Sequence, residues 1–368
     1  MKRFACIVGA RPNFMKMAPI LRAFEAHEDA ETVLIHTGQH YDKNLSDVFF
    51  EELGMRKPDL SLGVGSGSHA QQTAKLLVAL EEVFVNAEEA GEPFSRVVVV
   101  GDVNSTMAAT LAATKLHIPV AHVEAGLRSF DRRMPEEANR IVTDSLSDLL
   151  LVSEPSGVEH LKNEGHPDEN IKVVGNVMID TLLRQVETAR KQATLKDLDL
   201  VPSQYCVVTL HRPSNVDTAE SLGALVDVLV DVSAQLPIVF PVHPRTKARL
   251  EEFGLLGRLN GAEGVRVLGP LGYNDFLCLT SQAKVIVTDS GGLQEESTAL
   301  EIPCLTMRKN TERPVTVTEG TSTLCGSDAE VLNGHLAAVM AGNYKAGQCP
   351  KLWDGKAAIR VAEQLMLR

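Results

Sequence analysis

Short apolar runs, many of them β-branched, alternate with amphipathic stretches along the whole chain. In the first half the runs fall at residues 4–8, 32–36, 97–100, 119–123 and 149–152. The rhythm returns at 205–210, 238–242, 265–268, 284–287 and 303–306. Helical patterns at 15–26, 71–84, 222–234 and 293–300 separate some of these runs. Runs that are apolar throughout, rather than alternating, predict strands covered on both faces, and intervening helices predict parallel sheets. The stretch 188–204, T-A-R-K-Q-A-T-L-K-D-L-D-L-V-P-S-Q, breaks the rhythm and divides the chain into halves of similar size. The fold class is therefore α/β, with two Rossmann-like domains and a boundary between about residue 170 and residue 204. Ligands of such sheets bind outside the carboxyl ends of the strands, so two facing sheets are expected to share a cleft.

Many chemically capable residues follow the predicted strand ends. G-A-R-P-N-F-M-K (9–16) puts Arg11 and Lys16 on a tight strand-to-helix turn, and it lacks the G-x-G-x-x-G of dinucleotide binders. Asp102 follows the strand at 97–100, where helping the turn is the bland alternative. Glu124 follows the strand at 119–123. Glu136 and Glu137 stand behind Pro135, where acids in a first helical turn are ordinary helix chemistry. Together, Asp102, Glu124 and Glu136 put several acids on the expected ligand side of one domain, which core stability does not require.

The second half supplies the opposite sign. His211 and Arg212 follow one predicted strand, His243 and Arg245 follow the next, and Arg313 lies in a later loop. Ser290, Gly291 and Gly292 open a helical pattern after an apolar run, which is the local build of a phosphate cradle. Glu295 and Glu296 in the same turn repel phosphate, but ribose hydroxyls donate to carboxylates. Amides at 290–292 for phosphate and Glu296 for ribose together suit a nucleoside diphosphate. Glu295, about 100° around the helix, is expected to face elsewhere.

The formal net charge of −12 argues against a general nucleic-acid or anionic-membrane binder, so an anionic ligand must be met by locally placed cations. The six cysteines are scattered without a C-x-x-C pair and read as reduced structural residues. The opening apolar run is too short for a signal peptide and no run of about 18 apolar residues occurs, so a cytoplasmic protein is expected. His122-Val123-Glu124 has the H-x-E of zinc deaminases, but no P-C-x-x-C follows, and no metal is assigned.

G-A-R-P-N-F-M-K-M-A-P, H-V-E-A-G-L-R, M-P-E-E-A-N-R, T-L-H-R-P-S-N, P-V-H-P-R-T, T-D-S-G-G-L-Q-E-E and T-E-R-P occur in that order over residues 9–314. They resemble the motifs of the non-hydrolysing UDP-N-acetylglucosamine 2-epimerases. The resemblance implies a glycosyltransferase-B-like pair of Rossmann-like domains, 1–170 and 171–356, with a final helix, 357–368, packing back on the first. It implies C2 epimerisation of UDP-N-acetylglucosamine to UDP-N-acetylmannosamine by elimination and re-addition of UDP. Asp102, Glu124, Glu136 and His211 match catalytic positions. Arg11, Lys16, His243, Ser290, Gly291, Gly292, Glu296 and Arg313 match positions that contact the UDP-sugar. No metal or nicotinamide cofactor is implied, and family members are usually homodimers. Alternatives are a C2 epimerase of another UDP-2-acetamido sugar, such as a 2,3-diacetamido uronic acid, a hydrolysing 2-epimerase, or a non-catalytic nucleotide-sugar sensor.

Two departures stand out. H-R-P-S-N replaces the H-R-x-E-N of many members, and T-G-Q-H-Y-D-K-N (37–44) keeps Gln39 and His40 but has Asp42 where members activated by a second substrate molecule have glutamine. Activation by substrate is therefore expected to be weak or absent. Initial rates against UDP-N-acetylmannosamine should be hyperbolic; sigmoidal rates that a trace of UDP-N-acetylglucosamine makes hyperbolic would contradict this.

Overall fold

The computed structural model describes residues 1–38 and 53–367, so the departure at Gln39, His40 and Asp42 lies outside the described residues. Two compact units divide the chain: Met1–Leu182 together with the segment from Lys351 onward, and Leu183–Pro350.

In the first unit β1 (Lys2–Val8), β2 (Ala30–His36), β3 (Leu60–Ser61), β4 (Arg96–Val100), β5 (Val120–Ala125), β6 (Leu149–Val152) and β7 (Ile171–Val173) form a parallel sheet in the order β3-β2-β1-β4-β5-β6-β7. Its central strands are apolar because both faces are covered. Leu76, Leu80 and Phe84, four residues apart on the helix His69–Glu89, pack with Ala5, Ile7, Val97 and Val99.

The second unit repeats the plan with β8 (Cys206–Thr209), β9 (Ile238–Pro241), β10 (Val265–Leu268), β11 (Val285–Thr288), β12 (Cys304–Thr306) and β13 (Ser322–Leu324). They run parallel in the order β10-β9-β8-β11-β12-β13. Leu222, Leu225, Val226 and Leu229 of the helix Ala219–Ser233 pack with Val208, Phe240 and Val287. In each unit the strand order reverses beside the first strand, at β1/β4 and at β8/β11. Such a switch point opens a crevice at the carboxyl ends of the two strands.

Every apolar run contains a strand, with ends shifted by a residue or two. The short strands β3, β7 and β13 carried no apolar run: Leu60 and Ser61 are exposed, and pairing with β2 alone makes them extended. The expected division at residue 170 falls short of the first unit's end. β7 pairs with β6, and Thr181 Oγ1 donates to Met15 O at 2.6 Å, which ties residues 171–182 to the first unit. Five of the six cysteines are buried, and burial pushes the Cys6 thiol up to about 12. Among the described residues no helix is long and apolar enough to cross a membrane.

The helix Ala357–Leu367 packs on the helix Arg11–Phe24 through a face that includes Ala357, Val361 and Leu365. The amides of Ala357 and Ala358 donate to Asp180 at 3.1 and 2.7 Å. Burial pushes the Asp180 carboxyl up to about 6, against the opposing pull of these two amides. Its folded value lies above its unfolded one, so its contribution to stability is full below about pH 4 and is lost as pH rises through about 6. Asp180→Asn keeps an acceptor without a charge. Relative to the parent it should gain on the order of 1 kcal/mol between pH 5 and pH 7, measured by denaturant unfolding at the two pH values.

Candidate active site

At the carboxyl end of β1 the chain turns sharply into the helix Arg11–Phe24. Asn13 accepts from the amides of Gly9 and Ala10, both at 3.2 Å, and donates to Val100 O at 2.8 Å, so it staples the ends of β1 and β4 together. Arg11 opens this helix; its side chain lies outside the described residues. Lys16, on the same helix, is buried and bonds the Glu124 carboxylate at the end of β5. Gly101 stands against that pair. A β-carbon there would lie 3.2 Å from Lys16 Nζ and 3.4 Å from Glu124 Oε2, and its φ of +70° favours glycine independently.

Glu124 is itself a backbone exception. It holds a φ of +72°, and the β5–β6 register shifts between Val123 and Ala125, so a bulge turns its side chain out of the strand alternation. A non-glycine residue in this region costs on the order of 1–3 kcal/mol, a strain that surrounding contacts must hold.

Asp102, the next residue after Gly101, is partly exposed and bonds Arg140 Nη1. Arg140 is buried, and its Nη2 and Nε reach Glu137 Oε2 at 2.8 and 3.2 Å. Glu137 also accepts from Ser129 N at 2.9 Å, Ser129 Oγ at 3.0 Å and Phe130 N at 2.8 Å. Burial alone would raise the Glu137 carboxyl, but the Ser129 amide, Arg140 and the Phe130 amide outweigh it and hold it below the usual range. Glu137 therefore serves as a permanent anion that folds the 129–130 turn around Arg140. Glu136, one residue earlier in the first turn of the helix Pro135–Leu146, is only half-buried.

The second unit is organised by Asp289, fully buried just past β11. It accepts from His211 N at 2.9 Å, Arg212 N at 2.8 Å, Asn215 Nδ2 at 3.0 Å and His211 Nδ1 at 2.7 Å. Burial raises this carboxyl, but the His211 ring and the other donors bring it below the usual range. With Nδ1–H committed to Asp289, His211 presents Nε2 outward from a ring that is 42% exposed. The His243 ring lies 5.5 Å away. Its Nδ1 accepts from Arg245 N at 3.2 Å, so its proton sits on Nε2. Burial, then the neighbouring His211, lower the His243 value and favour this neutral form.

Ser290 precedes the helix Gly291–Ala299, but its amide donates to Thr288 Oγ1 at 3.0 Å. The expected cradle of three amides therefore reduces to those of Gly291 and Gly292, the first positions of the helix. Arginines complete it: a β-carbon on Gly291 would lie 3.4 Å from Arg313 Nη1 and 4.0 Å from Arg308 Nη1. Glu312 grips Arg308 with two bonds of 2.7 and 2.8 Å, and Arg308 brings the Glu312 carboxyl down to about 2 despite burial, which raises it. Glu295, one residue before Glu296, pairs with Arg313 Nε at 2.6 Å. Glu296 is buried one turn into the helix.

Sequence reasoning missed Glu137, Arg140, Asp289, Asn215 and Arg308. Arg140, Asp289 and Asn215 lie inside the quoted motifs, but nothing in a motif tells a ligand contact from the group that holds one. Arg308 follows β12, and its position after a strand end was the available signal.

Two parallel sheets, one ending in acids around a buried lysine and the other in histidines, arginines and helix amides, define an α/β enzyme that handles a phosphorylated nucleotide. More narrowly, the chain belongs to the UDP-N-acetylglucosamine 2-epimerase family, whose family model matches residues 22–366. It is 42% identical over 368 residues to the UDP-N-acetylglucosamine 2-epimerase of Methanocaldococcus jannaschii, covering 99% of this chain and 98% of that protein. It is 38% identical over 362 residues to the UDP-2,3-diacetamido-2,3-dideoxy-D-glucuronate 2-epimerase of Pseudomonas aeruginosa, with 98% of both covered. The crystal structure of the Methanocaldococcus jannaschii UDP-GlcNAc 2-epimerase with UDP-GlcNAc and UDP matches over 100% of both chains, with a TM-score of 0.86 and 39% identity.

Proposed function

We propose that the protein interconverts UDP-N-acetylglucosamine and UDP-N-acetylmannosamine by eliminating and re-adding UDP. The observation that carries this reading is the division of charge between the two units. Asp102 and the Lys16–Glu124 pair end one sheet, while His211, Arg313 and the Gly291–Gly292 amides end the other.

The chemistry asks for both sets. C2–H of the sugar has no neighbouring carbonyl to acidify it, so it leaves only as the C1–O bond to UDP breaks. A carboxylate takes the C2 proton, the C2–H electrons become the C1=C2 double bond, and the C1–O electrons leave with UDP. The departing diphosphate gains charge, which fixed cations and amides stabilise. In the return step a proton is delivered to the other face of C2 and a UDP oxygen attacks C1.

Asp102, Glu124 and Glu136 are the proposed proton-exchange groups. Lys16 bonds Glu124 and fixes where its carboxylate stands. His211, oriented by Asp289, is assigned to the leaving diphosphate together with Arg11, His243, Arg313 and the amides of Gly291 and Gly292; Ser290 contributes its hydroxyl rather than its amide, and Glu296 takes the ribose hydroxyls. A second reading, the same chemistry on a UDP-2,3-diacetamido uronic acid, is favoured by the similarity to the Pseudomonas aeruginosa enzyme.

Proton NMR in D2O with UDP-N-acetylglucosamine tests the reading: the anomeric signal of UDP-N-acetylmannosamine should appear, with deuterium at C2 of the product. Free sugar with UDP would instead mean a hydrolase, and turnover of only the diacetamido uronate would select the second reading. Asp102→Asn should lower turnover by at least about 10²-fold while calorimetry finds UDP binding unchanged. Epimerisation at the parent rate would remove Asp102 from the mechanism.

A further inference from the structure

His122 lies in the middle of β5, between β4 and β6, among residues that are otherwise apolar, and it is fully buried. An imidazole there loses hydration, so its two ring nitrogens must be matched. They are. Nε2 faces Gly101 O at 2.9 Å and Nδ1 faces Asp144 Oδ1 at 2.6 Å.

A carbonyl oxygen only accepts, so Nε2 carries a proton. Asp144 is fully buried and also accepts from Arg128 Nη1 at 2.7 Å and Gly126 N at 3.1 Å. Burial would raise its carboxyl, but His122 and Arg128 outweigh burial and keep it ionised. Asp144 Oδ1 thus closes the second ring nitrogen, and neither end of the ring is left without a partner. Arg128 is closed off by Glu164, at 2.8 and 2.6 Å. Along Glu164–Arg128–Asp144–His122 each buried polar group thus meets a partner, which removes most of the cost of burying it.

What this chain grips is the backbone around two acids. His122 holds the carbonyl of Gly101, the residue before Asp102, and Asp144 holds the amide of Gly126, two residues after Glu124. Between those grips lies the bulge in which Glu124 keeps its φ of +72°. We propose that the hydrogen-bonded His122–Asp144 pair is a positioning device for the reaction: it sets Asp102 and Glu124 relative to each other, with His122 touching neither substrate nor proton in flight. The proposal rests on the epimerase reading only for its kinetic consequences.

Replacing the ring separates its two bonds. Glutamine places an amide nitrogen near Nε2 and keeps the hold on Gly101, whereas asparagine keeps only the bond to Asp144. In His122→Asn, kcat should fall about 10²-fold, as for a misplacement of about 1 Å, with the UDP affinity unchanged by calorimetry. His122→Gln should recover at least tenfold of that loss. Free UDP released per epimerisation should rise in His122→Asn, because displaced acids re-protonate the intermediate too slowly to prevent its escape. This ratio does not depend on how many molecules are folded, so mere instability does not imitate it. Parent-like turnover in both variants, or an unchanged release ratio, would overturn the proposal. A long-range 1H–15N spectrum of the parent, with His122 assigned by its loss in the variants, should show a slowly exchanging proton on Nε2, the nitrogen that holds Gly101 O; an Nε2 without that proton overturns the clamp. If the parent epimerises no UDP-sugar, the proposed function fails, and the ring spectrum still decides the clamp.

Discussion

Strands covered on both faces leave polar side chains few places to go except the strand ends, and this constraint organises the molecule. Val97 to Val100 and Leu149 to Val152 are buried end to end, so the polar residues they deliver lie just beyond them. Reversal of strand order at β1/β4 and β8/β11 then opens the sheet's edge of loops where Gly101, Asp102, Asp289 and Ser290 emerge. The two sheets share the order of their first six strands and carry opposite chemistry because the residues just past their strand ends differ.

Placing ions at those ends brings a cost of burial, and the protein meets it with local neutrality. Arg140 lies between Asp102 and Glu137, and Arg308 and Arg313 lie among Glu312 and Glu295. Buried pairs of this kind add little net stability against an apolar alternative. Their effect is geometric: each guanidinium and carboxylate is held by several bonds, and removing one partner leaves the other exposed to the full desolvation penalty. An overall charge of −12 is compatible with an anion cradle for this reason, since the field at Gly291 is set by neighbours within a few ångströms.

The same logic explains the adjacent glutamates. Glu295 is consumed in orienting Arg313, so of the two carboxylates in that turn it contributes no free charge toward the cradle. Asp289 plays the corresponding part for His211, committing one ring nitrogen so that the other is presented. In both cases an acid near an anion site acts by aiming a cation.

Much of this was legible in the chain. Apolar runs gave away the α/β class and nearly every strand, because a strand buried on both faces has no alternative composition. The acids and histidines at strand ends were visible for the same reason. Hidden from the sequence was the pairing of charges. Glu136 and Glu137 are indistinguishable as letters, yet helical rotation leaves one half-buried and binds the other to Arg140 and the 129–130 turn. His122 looked like half of a metal motif, and only its two partners, from residues 101 and 144, make it a buried clamp between strand ends. Periodicity determines which residues are inside. Which buried ion answers which is decided by contacts between residues far apart in the chain, and those exist only once the sheets have formed.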